Sequence, residues 1–83
     1  MPTQLELFPS TVQLTRIDPQ LNMRRYYRLA LQPDLFGGCT LIREWGRIGR
    51  RGQLLCQQFD CEGQAVDALL AMQGRKAKRG YRG

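Results

Sequence analysis

Two stretches near the start of the chain alternate apolar and polar residues with a period of two. Residues 11–18 set valine and leucine against polar neighbours, and residues 23–32 place Tyr27 and Leu29 on one face and Tyr26 among arginines on the other. This alternation is typical of strands with one buried face. We therefore predict two strands, with Tyr27 turned toward the core and Tyr26 turned outward.

Two further strands are predicted over 39–48 and 53–59, because glycine-rich turns precede each of them. Neither face of the third strand is purely apolar. One face carries Arg43 and Trp45 beside a cysteine and a leucine, and the other carries Glu44 beside a threonine and an isoleucine. The period alone leaves open which of these faces is buried.

A single amphipathic helix follows, with apolar residues recurring at three- and four-residue spacing. Asp60 is the expected N-cap, and Gly80 is expected to end the helix, so we predict a helix over about 61–79 that is weakest near Gly74. The predicted fold is α+β, a four-stranded antiparallel meander with one C-terminal amphipathic helix packed on it. Residues 1–10 carry two prolines and are expected to form a flexible tail, and 11–83 the domain.

The charge of the chain indicates a polyanionic partner. Thirteen Lys and Arg against seven Asp and Glu give a net charge of +6, and most of the cations are arginine. Guanidinium groups pair with phosphate oxygens through two parallel hydrogen bonds and also stack on flat rings. Solubility alone is the alternative explanation of the charge.

Catalysis, metals and cofactors are not expected. The 83 residues include no histidine, the carboxylates are scattered, and Cys39, Cys56 and Cys61 form no CxxC pair and have no evident base partner. The odd number of cysteines, the lack of a signal peptide and the lack of an apolar run near ~18 residues indicate a protein of the reducing cytoplasm. We expect three unbridged thiols and no membrane contact.

The richest stretch for binding surrounds the lone tryptophan. A flat apolar ring among guanidinium groups and glycines is typical of a nucleic-acid contact, with an exposed indole lying on a nucleotide. Glycine spacing typical of phosphate-binding loops is absent from the sequence. The alternative is a tryptophan in the core beside arginines on a solvated hairpin. The candidate nucleic-acid-binding residues are Arg43, Trp45, Gly46, Arg47, Arg50, Arg51, Lys76 and Arg79.

One ordered set of residues resembles the WGR domain over about residues 11–82, namely Tyr26-Tyr27-Arg28-Leu29, Trp45-Gly46-Arg47-Ile48-Gly49, Gly52-Gln53, Phe59, Ala65 and Gly80-Tyr81. The resemblance implies a four-stranded antiparallel sheet flanked by a helix, and DNA binding of the kind found in poly(ADP-ribose) polymerases that carry this domain. It also implies that Trp45 packs on the sugar at the 5′ end of a strand, with Arg47 at the DNA contact. Tyr81 is expected to pack under the sheet and so to anchor the end of the helix.

The first ten residues contain a separate motif. The run Gln4-Leu5-Glu6-Leu7-Phe8 resembles the pentapeptide, Gln-Leu-Ser/Asp-Leu-Phe, with which bacterial replication and repair proteins bind the sliding clamp. A polar hook at Gln4 and apolar anchors at Leu5, Leu7 and Phe8 suit a preformed hydrophobic pocket. The alternative is that these side chains cover an edge of the domain itself.

We therefore expect a non-enzymatic bacterial DNA-binding module, cytoplasmic and associated with the nucleoid, that recognises duplex ends, nicks or gaps, with a role in DNA repair. Two other functions are open at this point. One is a protein-interaction adaptor tethered to the sliding clamp or to a repair enzyme. The other is RNA binding, because stacking on a sugar and arginine–phosphate pairing do not by themselves select deoxyribose.

Overall fold

Four strands and one helix follow one another in the computed structural model, which describes residues 11–83. The elements are β1 (Thr11–Asp18), β2 (Met23–Pro33), β3 (Cys39–Arg47), β4 (Gln53–Phe59) and α1 (Glu62–Lys78). A short 3₁₀ turn, Pro19–Leu21, joins the first two strands. The strands pair antiparallel in the order β1-β2-β3-β4, so the predicted meander with a C-terminal helix is confirmed.

The core lies between α1 and one face of the sheet. Its buried residues come from three strands and the helix, namely Val12, Leu14, Tyr27, Leu29, Cys39, Leu41, Ala65, Val66 and Leu69. The register resolves the ambiguity of β3, because Tyr27 lies directly opposite Trp45 and Leu29 directly opposite Arg43. The face of β3 that carries Cys39 is therefore the one covered by the helix.

The helix begins one residue later than predicted, and the prediction of Asp60 as N-cap is wrong. Cys61 takes the N-cap position with extended backbone and no side-chain capping bond. Because Asp60 lies one residue before the cap, its carboxylate is not placed to accept from the amides of the first turn. The helix continues through Gly74, where packing and the neighbouring helix formers outweigh the unfavourable propensity of glycine.

The chain turns back to the sheet after the helix. Gly80 has φ +96°, which favours glycine, and its backbone N–H donates to the carbonyl of Ala77 at 3.0 Å. Arg82 then pairs with Thr15 on the outer edge of β1 through two backbone hydrogen bonds of 2.7 Å. This return holds Tyr81 against the core, as its predicted anchoring role requires.

The face of the sheet opposite the helix is closely packed at the β3–β4 hairpin. A Cβ on Gly46 would lie 2.8 Å from the Cα of Gly52 and 3.4 Å from the ring of Tyr26. Tyr26 points to this face as predicted, but it is half-buried, and its hydroxyl donates to Glu44 Oε2 at 3.2 Å. Desolvation, and then the Glu44 carboxylate, raise the pKa of Tyr26. Glu44 also pairs with Arg28 at 3.6 Å.

The three cysteines are free thiols, with Cys39 buried and Cys56 and Cys61 exposed. Burial is the main cause that raises the pKa of the Cys39 thiol. Within residues 11–83, no cluster of three or more candidate metal ligands occurs. In the same part of the chain, α1 is neither long nor apolar enough to cross a membrane.

Candidate nucleic-acid interface

A cleft of about 520 Å³ opens between the C-terminal end of α1 and one end of the sheet, and we call it the basic cleft. Its lining consists of six cationic side chains, three aromatic rings and one glycine, namely Arg16, Arg25, Tyr27, Arg43, Trp45, Gly46, Arg47, Lys76, Arg79 and Tyr81. Among the described residues that line it, none carries a carboxylate. The cleft is therefore strongly electropositive and has a partly apolar wall.

The aromatic part of the cleft is a cluster of three rings. Tyr27 and Trp45 are stacked, with centroids 5.7 Å apart and planes inclined by 12°. Tyr81 meets the edge of Tyr27 at 6.3 Å and 81°. Trp45 is half-buried and packs against the core cluster, so the ring is less exposed than expected from the sequence. The ring contributes to the core and to the cleft wall at once.

Three arginines from adjacent strands form a row that lines the basic cleft. Arg16 lies directly opposite Arg25, and Arg25 directly opposite Arg47. Like charges at directly opposite positions of a sheet destabilise the pairing. Arg47 is held by Asn22, whose carbonyl accepts from Nη1 at 3.1 Å and whose side-chain oxygen accepts from Nη2 at 3.4 Å. A bound anion would relieve the repulsion along this row.

Arg43 also lines the basic cleft and is fixed by polar partners. Its Nε donates to the hydroxyl of Tyr27 at 3.1 Å and its Nη1 donates to Gln57 Oε1 at 2.9 Å. Its guanidinium carbon is 6.0 Å from the Trp45 ring centroid. The guanidinium is thus preorganised beside the tryptophan.

Lys76 reaches over the aromatic cluster from the last turn of α1. Its Nζ lies 4.4 Å from the ring centroid of Tyr27 and 5.5 Å from that of Tyr81. Burial is the main cause that lowers the pKa of Lys76, and the neighbouring charges of Arg79, Arg43 and Arg75 lower it further. The ammonium group therefore lacks a compensating negative charge in the described part of the chain, which an anionic ligand would supply.

The structure brings together six of the residues singled out from the sequence. Arg43, Trp45, Gly46, Arg47, Lys76 and Arg79 all line the basic cleft. Arg50 and Arg51 do not line it, and they lie exposed in the turn after β3. The motif residues Gln4, Leu5, Leu7 and Phe8 lie outside the described residues.

Sequence reasoning missed Arg16 and Arg25 and assigned Tyr27 to the core alone. A signal for them exists in the strand pattern. In β1 the alternating apolar face ends at Arg16, in β2 it begins at Arg25, and in β3 it ends at Arg47. Once the strands are aligned as a meander, these three positions fall at the same end of the helix-covered face.

Comparison with known proteins identifies one family over nearly the whole described chain. The family model of the WGR domain matches residues 10–83. The chain is 45% identical over 74 residues to an uncharacterised protein, y4dW, of Sinorhizobium fredii (strain NBRC 101917 / NGR234). That alignment covers 89% of this chain but 36% of the relative, so the chain spans about a third of the length of the curated protein it matches. No solved structure matches significantly.

Proposed function

The chain belongs to the WGR domain family, whose members are nucleic-acid-binding modules, and we propose that it is a non-enzymatic DNA-binding module that recognises duplex ends, nicks or gaps. The observation that carries the proposal is the basic cleft, in which stacked aromatic rings adjoin six cations and no carboxylate among the described residues. We further propose that the module serves DNA repair in a bacterial cell.

End recognition is supported by the combination of rings and charge. A terminal nucleotide exposes an apolar sugar or base face that internal base pairs hide, and stacking on an aromatic ring contributes about 1–3 kcal/mol per base. Trp45 forms part of the cleft wall while Tyr27 and the core hold its ring in place. The cleft thus offers a terminal nucleotide a fixed aromatic surface.

Phosphate binding would fall to the arginine row and to the helix end. Arg16, Arg25 and Arg47 line the basic cleft from the sheet, and Lys76 at the end of α1 and Arg79 just after it line the cleft from the helix side. With roughly four or five phosphate contacts, the logarithm of the affinity should fall with the logarithm of salt concentration at a slope of about −4. Sequence preference should be weak, because phosphates carry no base identity.

The decisive experiment compares closed circular DNA with the same plasmid linearised or nicked once. We expect tighter binding to the linear and nicked forms at equal base-pair concentration, measured by competition against a fluorescent blunt-ended duplex. Equal competition by all three forms would mean that the basic cleft attracts polyanions without recognising ends. Tighter competition by a matched RNA duplex would redirect the proposal to RNA, where a protein must read the 2′-hydroxyl to discriminate.

A second proposal concerns Gln4–Phe8, on the sequence pattern described above. We propose that this segment docks in a hydrophobic pocket of the bacterial sliding clamp and so brings the module to replicating or repaired DNA. Purified clamp should bind the protein, and Leu7→Ala with Phe8→Ala should weaken that binding without changing DNA affinity. Unchanged clamp binding by this double variant would contradict the role of the segment.

A further inference from the structure

The turn between β2 and β3 displays two large apolar side chains to solvent. Leu35 is 95% exposed and Phe36 is 94% exposed, whereas the other exposed large apolar residues of the described chain reach at most 62%. Exposing two adjacent apolar side chains is unfavourable in water and indicates an interaction site when the chain holds them there. We call this pair the hairpin tip.

Hydrogen bonds to Asp34 hold the hairpin tip in this exposed position. Asp34 Oδ1 accepts from the backbone N–H of Phe36 at 2.7 Å and of Gly38 at 2.9 Å. Its backbone N–H donates to the Gly38 carbonyl at 2.9 Å, and its Oδ2 accepts from Gln58 Nε2 on β4 at 3.3 Å. The turn is therefore fixed by four hydrogen bonds to one aspartate. Such preorganisation reduces the entropy that binding must overcome.

The hairpin tip repeats a pattern found elsewhere in the same chain. Gln4, Glu6, Leu7 and Phe8 are matched at the same spacing by Gln32, Asp34, Leu35 and Phe36. The chain contains three phenylalanines, and two of them end this Gln-x-acid-Leu-Phe pattern. At the hairpin tip the acid holds the turn, so the side chains that the two segments offer in common to a hydrophobic pocket are the adjacent leucine and phenylalanine.

We propose that the hairpin tip is a second docking element, which inserts Leu35 and Phe36 into a hydrophobic pocket of the protein that binds Gln4–Phe8. This inference rests on the proposed docking to the sliding clamp. The tip follows Pro33, whereas Arg25 lies toward the other end of β2, and the eight residue steps from Arg25 to Pro33 span about 26 Å at ~3.3 Å per residue, so the tip and the arginine row lie at opposite ends of the sheet. Clamp and DNA can then be bound together.

The test measures binding of purified bacterial sliding clamp to the full chain by biolayer interferometry. The tip variant carries Leu35→Ser with Phe36→Ser, and the tail variant carries Leu7→Ala with Phe8→Ala. Leu21→Ser is the matched control, since Leu21 is 62% exposed in the β1–β2 connection and outside both patterns. The tip variant should melt at the same temperature as the wild type, because neither side chain contributes to the core.

We expect the tip variant to bind the clamp about tenfold more weakly, as for a truncated interface anchor, while Leu21→Ser binds like the wild type. The tail variant should retain weak binding that the tip substitutions abolish. If the tip substitutions leave clamp affinity unchanged in both the wild-type and the tail-variant backgrounds, while the tail substitutions lower it, the tip proposal is overturned and the tail proposal stands. If clamp binding is lost in the tip variant but not in the tail variant, only the tail proposal is overturned. If the wild-type protein does not bind the clamp at all, both proposals are overturned. A dimer that the tip substitutions dissolve, without clamp binding, would assign the tip to a contact between copies of this chain and overturn the proposal.

Discussion

Tyr27 and Trp45 lie directly opposite each other on β2 and β3, and their rings stack at a centroid distance of 5.7 Å. Each ring also borders the basic cleft. The same pair therefore closes one end of the core and forms the aromatic wall of the proposed DNA site. A substitution of Trp45 must act on stability and on binding together, and an experiment has to separate the two.

Trp45→Ala should abolish the preference for linear over closed circular DNA. Loss of stacking corresponds to about 1–3 kcal/mol, or about 5- to 150-fold in affinity for ends. The ratio of the two dissociation constants is the informative readout, because partial unfolding lowers both affinities equally. Trp45→Phe keeps a ring beside Tyr27 and should retain part of the preference. An unchanged ratio in Trp45→Ala would exclude stacking as the source of end recognition.

Arg25→Gln should stabilise the free protein while weakening DNA binding. Arg25 faces Arg16 on one side and Arg47 on the other, so removing its charge relieves like-charge contacts worth about 0.2–1 kcal/mol. The salt dependence of binding should flatten by about one unit of slope if one phosphate contact is lost. Thermal melting at low salt and titrations at several salt concentrations measure these two effects.

Arg24→Gln is the matched control for Arg25→Gln. It removes the same charge one residue earlier on β2, where the side chain belongs to the opposite face of the sheet. This variant should show a smaller loss of DNA affinity and no gain in stability from the arginine row. If both variants weaken binding to the same extent, net charge rather than the basic cleft governs the interaction.

The turn after β3 provides a test of where the phosphate contacts end. Arg50 and Arg51 were candidates from the sequence, but they lie outside the basic cleft, whereas Arg16 and Arg25 line it. Arg50→Gln with Arg51→Gln should therefore weaken DNA binding less than Arg16→Gln with Arg25→Gln, although the two variants change the net charge equally. The reverse order would move the interface from the cleft to the hairpin.

The sequence predicts the elements of this fold well because periodicity and turn residues act locally. The strands at Thr11–Asp18 and Gln53–Phe59 have the predicted bounds, and the helix differs from its prediction by one residue at each end. The start of the helix was predicted one residue too early because Asp60 is a preferred N-cap residue, whereas the backbone places Cys61, which makes no side-chain capping bond, at that position.

The candidate site was less predictable because it depends on register. Trp45 and Arg43 share a strand face, but only pairing with β2 shows that this face is the covered one. Arg16 is distant in sequence from Arg47, and the two come to the same end of the sheet through Arg25. Alternation within one strand carries no information about which residue of the next strand lies opposite.

Gly52→Ala should destabilise the protein, because the added Cβ would overlap the backbone carbonyl of Trp45 and the hydroxyl of Tyr26. Such overpacking costs about 1–3 kcal/mol. Gly74→Ala is the opposite case, since nothing lies within 4 Å of a Cβ at this mid-helix position, and it should stabilise by about 1 kcal/mol. Chemical denaturation measures both changes. A neutral Gly52→Ala would contradict the close approach of β3 and β4 at this hairpin.

Lys76 should make DNA binding weaken as the pH rises through the alkaline range below the ordinary lysine value of 10.5. In the free protein the pKa of Lys76 is lowered, chiefly by burial and further by the nearby arginines. A phosphate in the basic cleft favours the charged amine and raises the pKa again, so binding takes up a proton wherever the free amine has begun to lose it. Affinity therefore falls with pH between the lowered pKa and the pKa in the complex.

The stability of the free protein should follow the opposite trend over the same interval. There the unfolded chain holds more protons than the folded one, so the free energy of unfolding gains from this group as the pH rises through its folded pKa. Lys76→Arg is the control, because arginine stays charged throughout and the DNA titrates identically in both measurements. Subtracting the Lys76→Arg profile from the wild-type profile, at constant ionic strength, isolates the contribution of the amine. Identical profiles would contradict the prediction that phosphate binding raises a lowered pKa of Lys76.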